Sequence, residues 1–309
     1  AVPPAFGRLG ALAARFRDAL RARFPDMAAR RLVLEQALGG RVADLVFAGH
    51  DEAAADAFAA MIAAGDPSPR GIVHLVGAGP GPADLLTLRG QRLLGEADVI
   101  VHDRLVSDEV LALARRDAER MFVGKARADH CVAQQEINAL LVRLAHEGKR
   151  VVRLKGGDPL VFGRGGEEIE ALAQAGVAFE IVPGVTAALA CAAGAGIPLT
   201  HREAARAVTF VTGHTKDGAL DLDWPTLARG GTLAVYMCAA SLARLHAGLV
   251  SAGYDPATPA ALIERGGTDD QRVLALPFDR LVAEGPGWMQ GGPTLLLLGD
   301  VVGHRSLTK

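Results

Sequence analysis

The sequence predicts an α/β protein of two lobes preceded by a small all-α unit, and three observations carry this. From residue 72 onward, short apolar runs alternate with helix-length amphipathic stretches, the pattern of strands joined by crossover helices. Residues 8 to 64 hold no strand-like run but carry apolar residues at helical spacing. Between the two regimes lies Gly65-Asp66-Pro67-Ser68-Pro69-Arg70-Gly71, a linker composition whose prolines block helix continuation.

In the first unit Leu9, Leu12, Phe16 and Leu20 recur on one helical face, followed by Met27 and Leu34, then Ala57, Phe58, Met61 and Ile62. Pro25 should divide the first helix from the second, and Gly39-Gly40 should end the second. Seven arginines stand against three acids between Arg8 and Glu35. With no aromatic or glycine-rich partner beside them, they read as a solvated helix face or a subunit contact, not a nucleic-acid patch.

After the linker the strand-like runs are Ile72 to Val76, Val99 to His102, Val151 to Leu154, Phe179 to Val182, Val208 to Thr212, Leu233 to Met237, Ala261 to Glu264 and Leu295 to Leu298. Eight runs suit two lobes better than one sheet, and interleaved helices imply largely parallel sheets. The expected units are 1–70 (helices and linker), 71–190 (first lobe) and 191–309 (second lobe).

Half of the 309 residues are apolar, enough to bury about 75% of the unfolded surface. A net charge of −2 gives no general attraction to nucleic acid or to a membrane surface. Cys131, Cys191 and Cys238 are far apart and odd in number, so they suggest neither a disulfide framework nor a metal site. No apolar run approaches the ~20 residues that span a bilayer, and no signal-peptide pattern opens the chain, so a cytoplasmic location is expected.

The chemistry-bearing residues sit where strands end. Val76-Gly77-Ala78-Gly79-Pro80-Gly81-Pro82 is a poor dinucleotide loop, since a proline stands where close helix packing needs a tiny residue. Asp103 follows the second strand, where a partly desolvated carboxylate could act as general base. Lys125 follows Phe122-Val123-Gly124 and offers a cation to the same crevice. The stretch VVRLKGGDPLVFGRGGEE, residues 151 to 168, is the most specific. Gly156-Gly157 leaves backbone groups unshielded, Asp158 can accept from a hydroxyl or an ammonium, and Arg153, Lys155 and Arg164 supply cations. His214 ends a later strand as a candidate ligand-site histidine. With no second histidine or cysteine at ligand spacing, no metal site is expected.

Taken in order, VGAGPG, VHDRLVS, VGK, RLKGGDPLVFGRGGEE, VPGVTAA, GIPLTHR and TGH resemble the uroporphyrinogen-III C-methyltransferases of the tetrapyrrole methylase superfamily, from about Ile72 to Gly303. Residues 8 to 64 are similar to the helical dimerisation region of fused sirohaem synthases. In those proteins the methyltransferase follows a dehydrogenase and ferrochelatase module that this chain does not contain, so it resembles their carboxyl-terminal part. The resemblance implies a two-lobed tetrapyrrole methylase fold, a homodimer, and S-adenosylmethionine bound between the lobes and released as S-adenosylhomocysteine. It implies cofactor contacts from Pro80, Gly156, Gly157, Asp158, Val161, Thr186, Ala187, Met237 and Gly266, with Asp103 as proton acceptor and Lys125 as proton donor. Arg153, Lys155 and Arg164, with His214, are then expected to face a polycarboxylate macrocycle, which would be methylated twice to give precorrin-2. A sister methylase for a later corrinoid precursor, or a scaffold that binds the cofactor without turnover, are the alternatives. The long VHDRLVS and GIPLTHR agreements and the presence of Asp103 and Lys125 weigh against them.

Overall fold

The helical spacing of the amino-terminal stretch folds into α1 (Pro4–Arg15), α2 (Arg17–Arg23), α3 (Met27–Gly39), α4 (Arg41–Phe47) and α5 (Asp51–Ala64). The computed structural model describes residues 4–65, 71–124, 133–214 and 220–306. Leu20, Phe24, Val33, Val46, Phe58 and Ile62 meet in one buried core. Pro25 separates α2 from α3, whose first turn is capped by the Asp26 carboxylate accepting the Ala29 N–H at 2.8 Å. The glycine pair ends α3 as expected. A further break at Phe16 divides α1 from α2 without any proline or glycine to announce it.

The first lobe is built from β1 (Ile72–Gly77), α6 (Leu88–Glu96), β2 (Val99–His102), α7 (Asp108–Ala112), β3 (Glu119–Phe122), α8 (Gln134–His146), β4 (Arg150–Lys155), α9 (Gly165–Gln174) and β5 (Ala178–Val182). Its five strands are all parallel, in the order β3-β2-β4-β1-β5. Side chains alternate along a strand, so successive residues enter different layers. Val76, Ile100, Val152 and Leu154 pack under α6 and α7. Val73, Leu75, Val99 and Val151 pack under α8 and α9. By the same alternation Arg153 and Lys155 enter the α8/α9 layer.

The second lobe comprises α10 (Ala187–Ala195), β6 (Val208–Thr212), α11 (Trp224–Leu227), β7 (Thr232–Tyr236), α12 (Leu242–Ser251), β8 (Pro259–Glu264), β9 (Arg272–Pro277), α13 (Phe278–Trp288) and β10 (Thr294–Leu298). Its strand order is β6-β7-β10-β8-β9. The expectation of largely parallel sheets fails here, because only β6 and β7 pair in parallel while β10 runs antiparallel to β7 and β8, and β8 antiparallel to β9. Residues 265 to 271 between β8 and β9 are too few for a crossover helix, so the chain must turn straight back. The small-residue helix α10 lies on this sheet, with Ala188, Cys191 and Ala192 against Ala234, Ala261 and Leu297. Among the described residues no helix is long and apolar enough to cross a membrane.

Ion pairs seat the helical unit on the first lobe. Asp44 of α4 accepts from Arg92 at 2.7 Å and from Arg89 at 3.2 Å, and Arg150 donates to the Gly39 carbonyl at 3.0 Å. Arg89 also pairs with Glu180 of β5, whose other oxygen lies 3.2 Å from His74 Nδ1. Burial alone would raise the Glu180 pKa, but the bonds from His74 and Arg89 outweigh it and bring it down from 4.5 to about 2. A carboxylate depressed in the folded state adds stability that is complete above its unfolded pKa and is lost as pH falls toward the folded value. Glu180→Gln should therefore melt below the native chain at neutral pH, and thermal melts should show the gap closing between about pH 4.5 and 2.

Candidate active site

Above the β1–β4 pair the chain diverges, because β1 leads into α6 on one face and β4 into α9 on the other. Such a switch point opens a crevice at the carboxyl ends of the strands. There the two glycine loops pair through their backbones, Gly79 N–H to the Gly157 carbonyl at 3.1 Å and Gly157 N–H to the Gly79 carbonyl at 2.7 Å. Gly157 holds φ at +69°, a region that favours glycine. A Cβ on Gly184, in the loop after β5, would strike the Gly157 carbonyl, so three loops cross here at backbone contact. Asp158 locks the crossing, accepting the Leu160 N–H at 2.8 Å on one oxygen and the Gly184 N–H at 3.1 Å on the other. Ser107, after β2, donates to the Gly81 carbonyl at 2.5 Å and so ties a fourth loop to the first.

Charges are buried beneath this crossing. Glu168, in the first turn of α9, is fully buried, and its Oε1 accepts from Arg153 Nε at 3.0 Å, Lys155 Nζ at 3.0 Å and Gln134 Nε2 at 3.3 Å. Its Oε2 has no hydrogen-bond partner among the described residues. The far end of the Arg153 guanidinium reaches Asp103 Oδ2 at 3.6 Å. Burial and the neighbouring Arg153 lower the Lys155 pKa, against the pull of Glu168. Asp103 is the member of the network that meets solvent, with 28% of its side chain exposed, and its Oδ1 accepts the Leu105 N–H at 3.3 Å.

The second lobe closes the crevice from the other side. Gly267 packs beside Pro80 and Gly81 beside Thr268, while Gly266 lies against the Cys191 sulfur of α10. The Tyr236 hydroxyl bonds Thr186 and Ala188 at the start of α10. Met237, the next residue, is half exposed and takes φ +53°. Among the described residues the non-glycine positions with left-handed φ are Phe162, Arg164, Met237 and Arg265, all at the carboxyl ends of β4, β7 and β8. Each such residue costs about 1–3 kcal/mol and persists only where its surroundings hold it.

Pro80, Gly156, Gly157, Asp158, Thr186, Ala187, Met237 and Gly266 thus come from five loops that touch one another around one crevice, and Val161 lies within the β4 loop. Lys125 lies outside the described residues. The expectation that Arg153 and Lys155 face a substrate is corrected, for they are 3% and 4% exposed and turned onto Glu168. Strand alternation puts both in the α8/α9 layer, where only a carboxylate can neutralise them. Arg164 is exposed and bonds Glu167 through two nitrogens at 2.7 Å, and His214 is exposed at the end of β6. The sequence reading singled out none of Glu168, Tyr236 and Ser107. The signal for Glu168 was present in the form of two cations on one face of a strand otherwise buried on both sides.

Residues 72–282 match the model of the tetrapyrrole (corrin/porphyrin) methylases, and residues 5–62 that of the sirohaem synthase dimerisation region. The chain belongs to the tetrapyrrole methylases. A siroheme synthase of Chromobacterium violaceum is 51% identical over 97% of this chain and 64% of its own length, and one of Azotobacter vinelandii is 50% identical over 98% and 66%. The chain thus spans about two thirds of the curated relatives it matches. Among solved structures, a uroporphyrin-III C-methyl transferase of Thermus thermophilus complexed with S-adenyl homocysteine is 44% identical, with a TM-score of 0.66 over 75% of this chain and 99% of that one. A cobalt precorrin-4 methyltransferase of cobalamin biosynthesis is 26% identical, also with a TM-score of 0.66 over 75% of this chain and 95% of that one.

Removing Glu168 would leave two buried cations without their carboxylate, a loss of about 3–5 kcal/mol. Glu168→Ala should lower the urea midpoint of unfolding by a matching amount, whereas Glu167→Ala, which breaks only the exposed pair with Arg164, should change stability by about 1 kcal/mol or less.

Proposed function

We propose that the chain transfers methyl groups from S-adenosylmethionine to carbon atoms of uroporphyrinogen III, twice in succession, to give precorrin-2 for sirohaem synthesis. One observation carries the reading, namely the likeness at 44% identity to a transferase complexed with S-adenyl homocysteine. The residues of the crevice fit such a cofactor. Gly156 and Gly157 are partly exposed and carry no Cβ, Ala187 and Met237 offer apolar contact, and Ala78 and Gly79 of the first glycine loop give their N–H groups to the Lys155 and Gly157 carbonyls, not to a phosphate. When bound, the cofactor supplies an activated methyl group on a sulfonium.

The chain's own part is orientation and proton management. Pro80, Gly156, Gly157, Asp158, Val161, Thr186, Ala187, Met237 and Gly266 form the cofactor side, Asp158 by fixing the loop crossing and the rest by lining it. Arg153 holds Asp103 at the mouth of the crevice, where its carboxylate accepts the proton that the macrocycle gives up. Lys125 is the donor in this reading. Arg164 and His214, both exposed, are the groups that meet the acidic periphery of the macrocycle. The reaction runs in a reducing cytoplasm, where Cys191 and Cys238 remain thiols; burial pushes both pKa values up to about 12.

The chain works as a homodimer through its helical unit. A groove on that unit is lined by Gly10, Ala13, Leu20, Met27, Leu34 and Leu38 and rimmed by arginines. Met27 is 75% exposed and Leu38 44%, an apolar face that a second copy would cover. Sedimentation should find a dimer at micromolar concentration, and Met27→Asp with Leu38→Asp should give a folded monomer.

Asp103→Asn should slow transfer of labelled methyl to uroporphyrinogen III by about a hundredfold to ten-thousandfold, the range general-base catalysis contributes. Calorimetry should find S-adenosylhomocysteine affinity unchanged in the same variant. No methyl transfer by the native chain despite tight cofactor binding would turn the reading toward a later corrinoid precursor.

A further inference from the structure

Tyr236 is not among the residues assigned above to cofactor or substrate, yet it joins three of the elements that carry them. Its hydroxyl oxygen lies 2.7 Å from Thr186 Oγ1 and accepts the Ala188 N–H at 3.1 Å. Thr186 occupies the N-cap position of α10, where a threonine normally accepts from its own helix, but its side chain makes no such bond. The orphan N–H of that first turn is satisfied from β7 of the same lobe. The phenol ring also packs against Phe162, with centroids 5.0 Å apart, and Phe210, at 5.8 Å. Phe162 belongs to the β4 loop, and Met237 follows Tyr236 directly; both hold left-handed φ.

We propose that Tyr236 is a positioning residue for the cofactor, its hydroxyl taking the place of the side-chain cap that α10 lacks and keeping Thr186 turned away from its own helix. The inference rests on the cofactor reading given above. Without the hydroxyl the Ala188 N–H has no partner, and the Thr186 side chain is free to swing back and cap the first turn itself, as threonine does at ordinary helix starts. The turn that bears Thr186 and Ala187 then settles in a different arrangement, and cofactor binding must reverse it. The neighbouring rings are unaffected by that change. Tyr236→Phe keeps the ring against Phe162 and Phe210 and removes only the oxygen.

Calorimetric titration of the full chain with S-adenosylhomocysteine, alongside thermal melts, tests this. Tyr236→Phe should bind about tenfold more weakly, the scale of one buried hydrogen bond, with a melting temperature within a few degrees of native. Thr186→Val should lose a similar factor, and the double variant should bind no worse than the weaker single, because both remove the same bond. Native affinity in Tyr236→Phe, or losses that add in the double variant, would overturn the proposal. If Tyr236→Phe does not fold, native affinity in Thr186→Val overturns it as well. A native chain that fails to bind S-adenosylhomocysteine would instead sink the cofactor reading, and this proposal with it.

Discussion

Two cations on one face of a buried strand cannot stay unpaired among leucine and valine, and the need to neutralise Arg153 and Lys155 organises this end of the molecule. Glu168 meets that need from the first turn of α9, which fixes where α9 starts relative to β4 and therefore how residues 156 to 164 must run between them. A buried network of this kind adds little net stability compared with apolar side chains of the same volume. What it supplies is placement. Arg153 spans two carboxylates, its inner nitrogen on Glu168 and its far end toward Asp103 at the mouth of the crevice.

Above the charges, the backbone itself is the building material. Gly77 and Gly184 let three loops cross at distances that side chains would forbid, and Asp158 uses both carboxylate oxygens to hold the crossing. Glycine there removes the wall that a Cβ would raise between protein and ligand. Phe162, Arg164, Met237 and Arg265 carry the opposite feature, a left-handed backbone bearing a full side chain. Their grouping at the ends of β4, β7 and β8 marks these loops as held by their surroundings and not by local preference.

Much of this was legible in the sequence, for reasons that differ by element. Strands buried on both faces read as plain apolar runs, so β1, β2 and β4 stand out by composition alone. β9 escaped because it is a half-exposed edge strand ending in Pro277, with no uniform burial to write a pattern. The mixed direction of the second sheet was hidden too, since an apolar run carries no sign of strand polarity. In the site, the glycine pair and Asp158 announced a loop, but a strand's two-residue alternation decided which way Arg153 and Lys155 point. That depends on which helices cover which face, a tertiary fact. Tyr236 gave no signal, since a tyrosine closing a strand is as ordinary in a core as in a site.

The two sides of the crevice depend on the lobes unequally. Asp103, Arg153 and Glu168 all belong to the first lobe and are tied together within it, so the carboxylate proposed as proton acceptor keeps its position whatever the second lobe does. The residues read as the cofactor side come from both lobes, and small contacts hold them in register: Pro80 beside Gly267 and Gly81 beside Thr268 across the seam, and Tyr236 on Thr186 and Ala188 where the second lobe begins. None of these contacts is large enough to fix two lobes by apolar burial alone. A molecule bound among them bridges both lobes and adds its own contacts to the same seam. Cofactor affinity is therefore the property that a slip between the lobes would disturb first, while Asp103 and its buried support would persist.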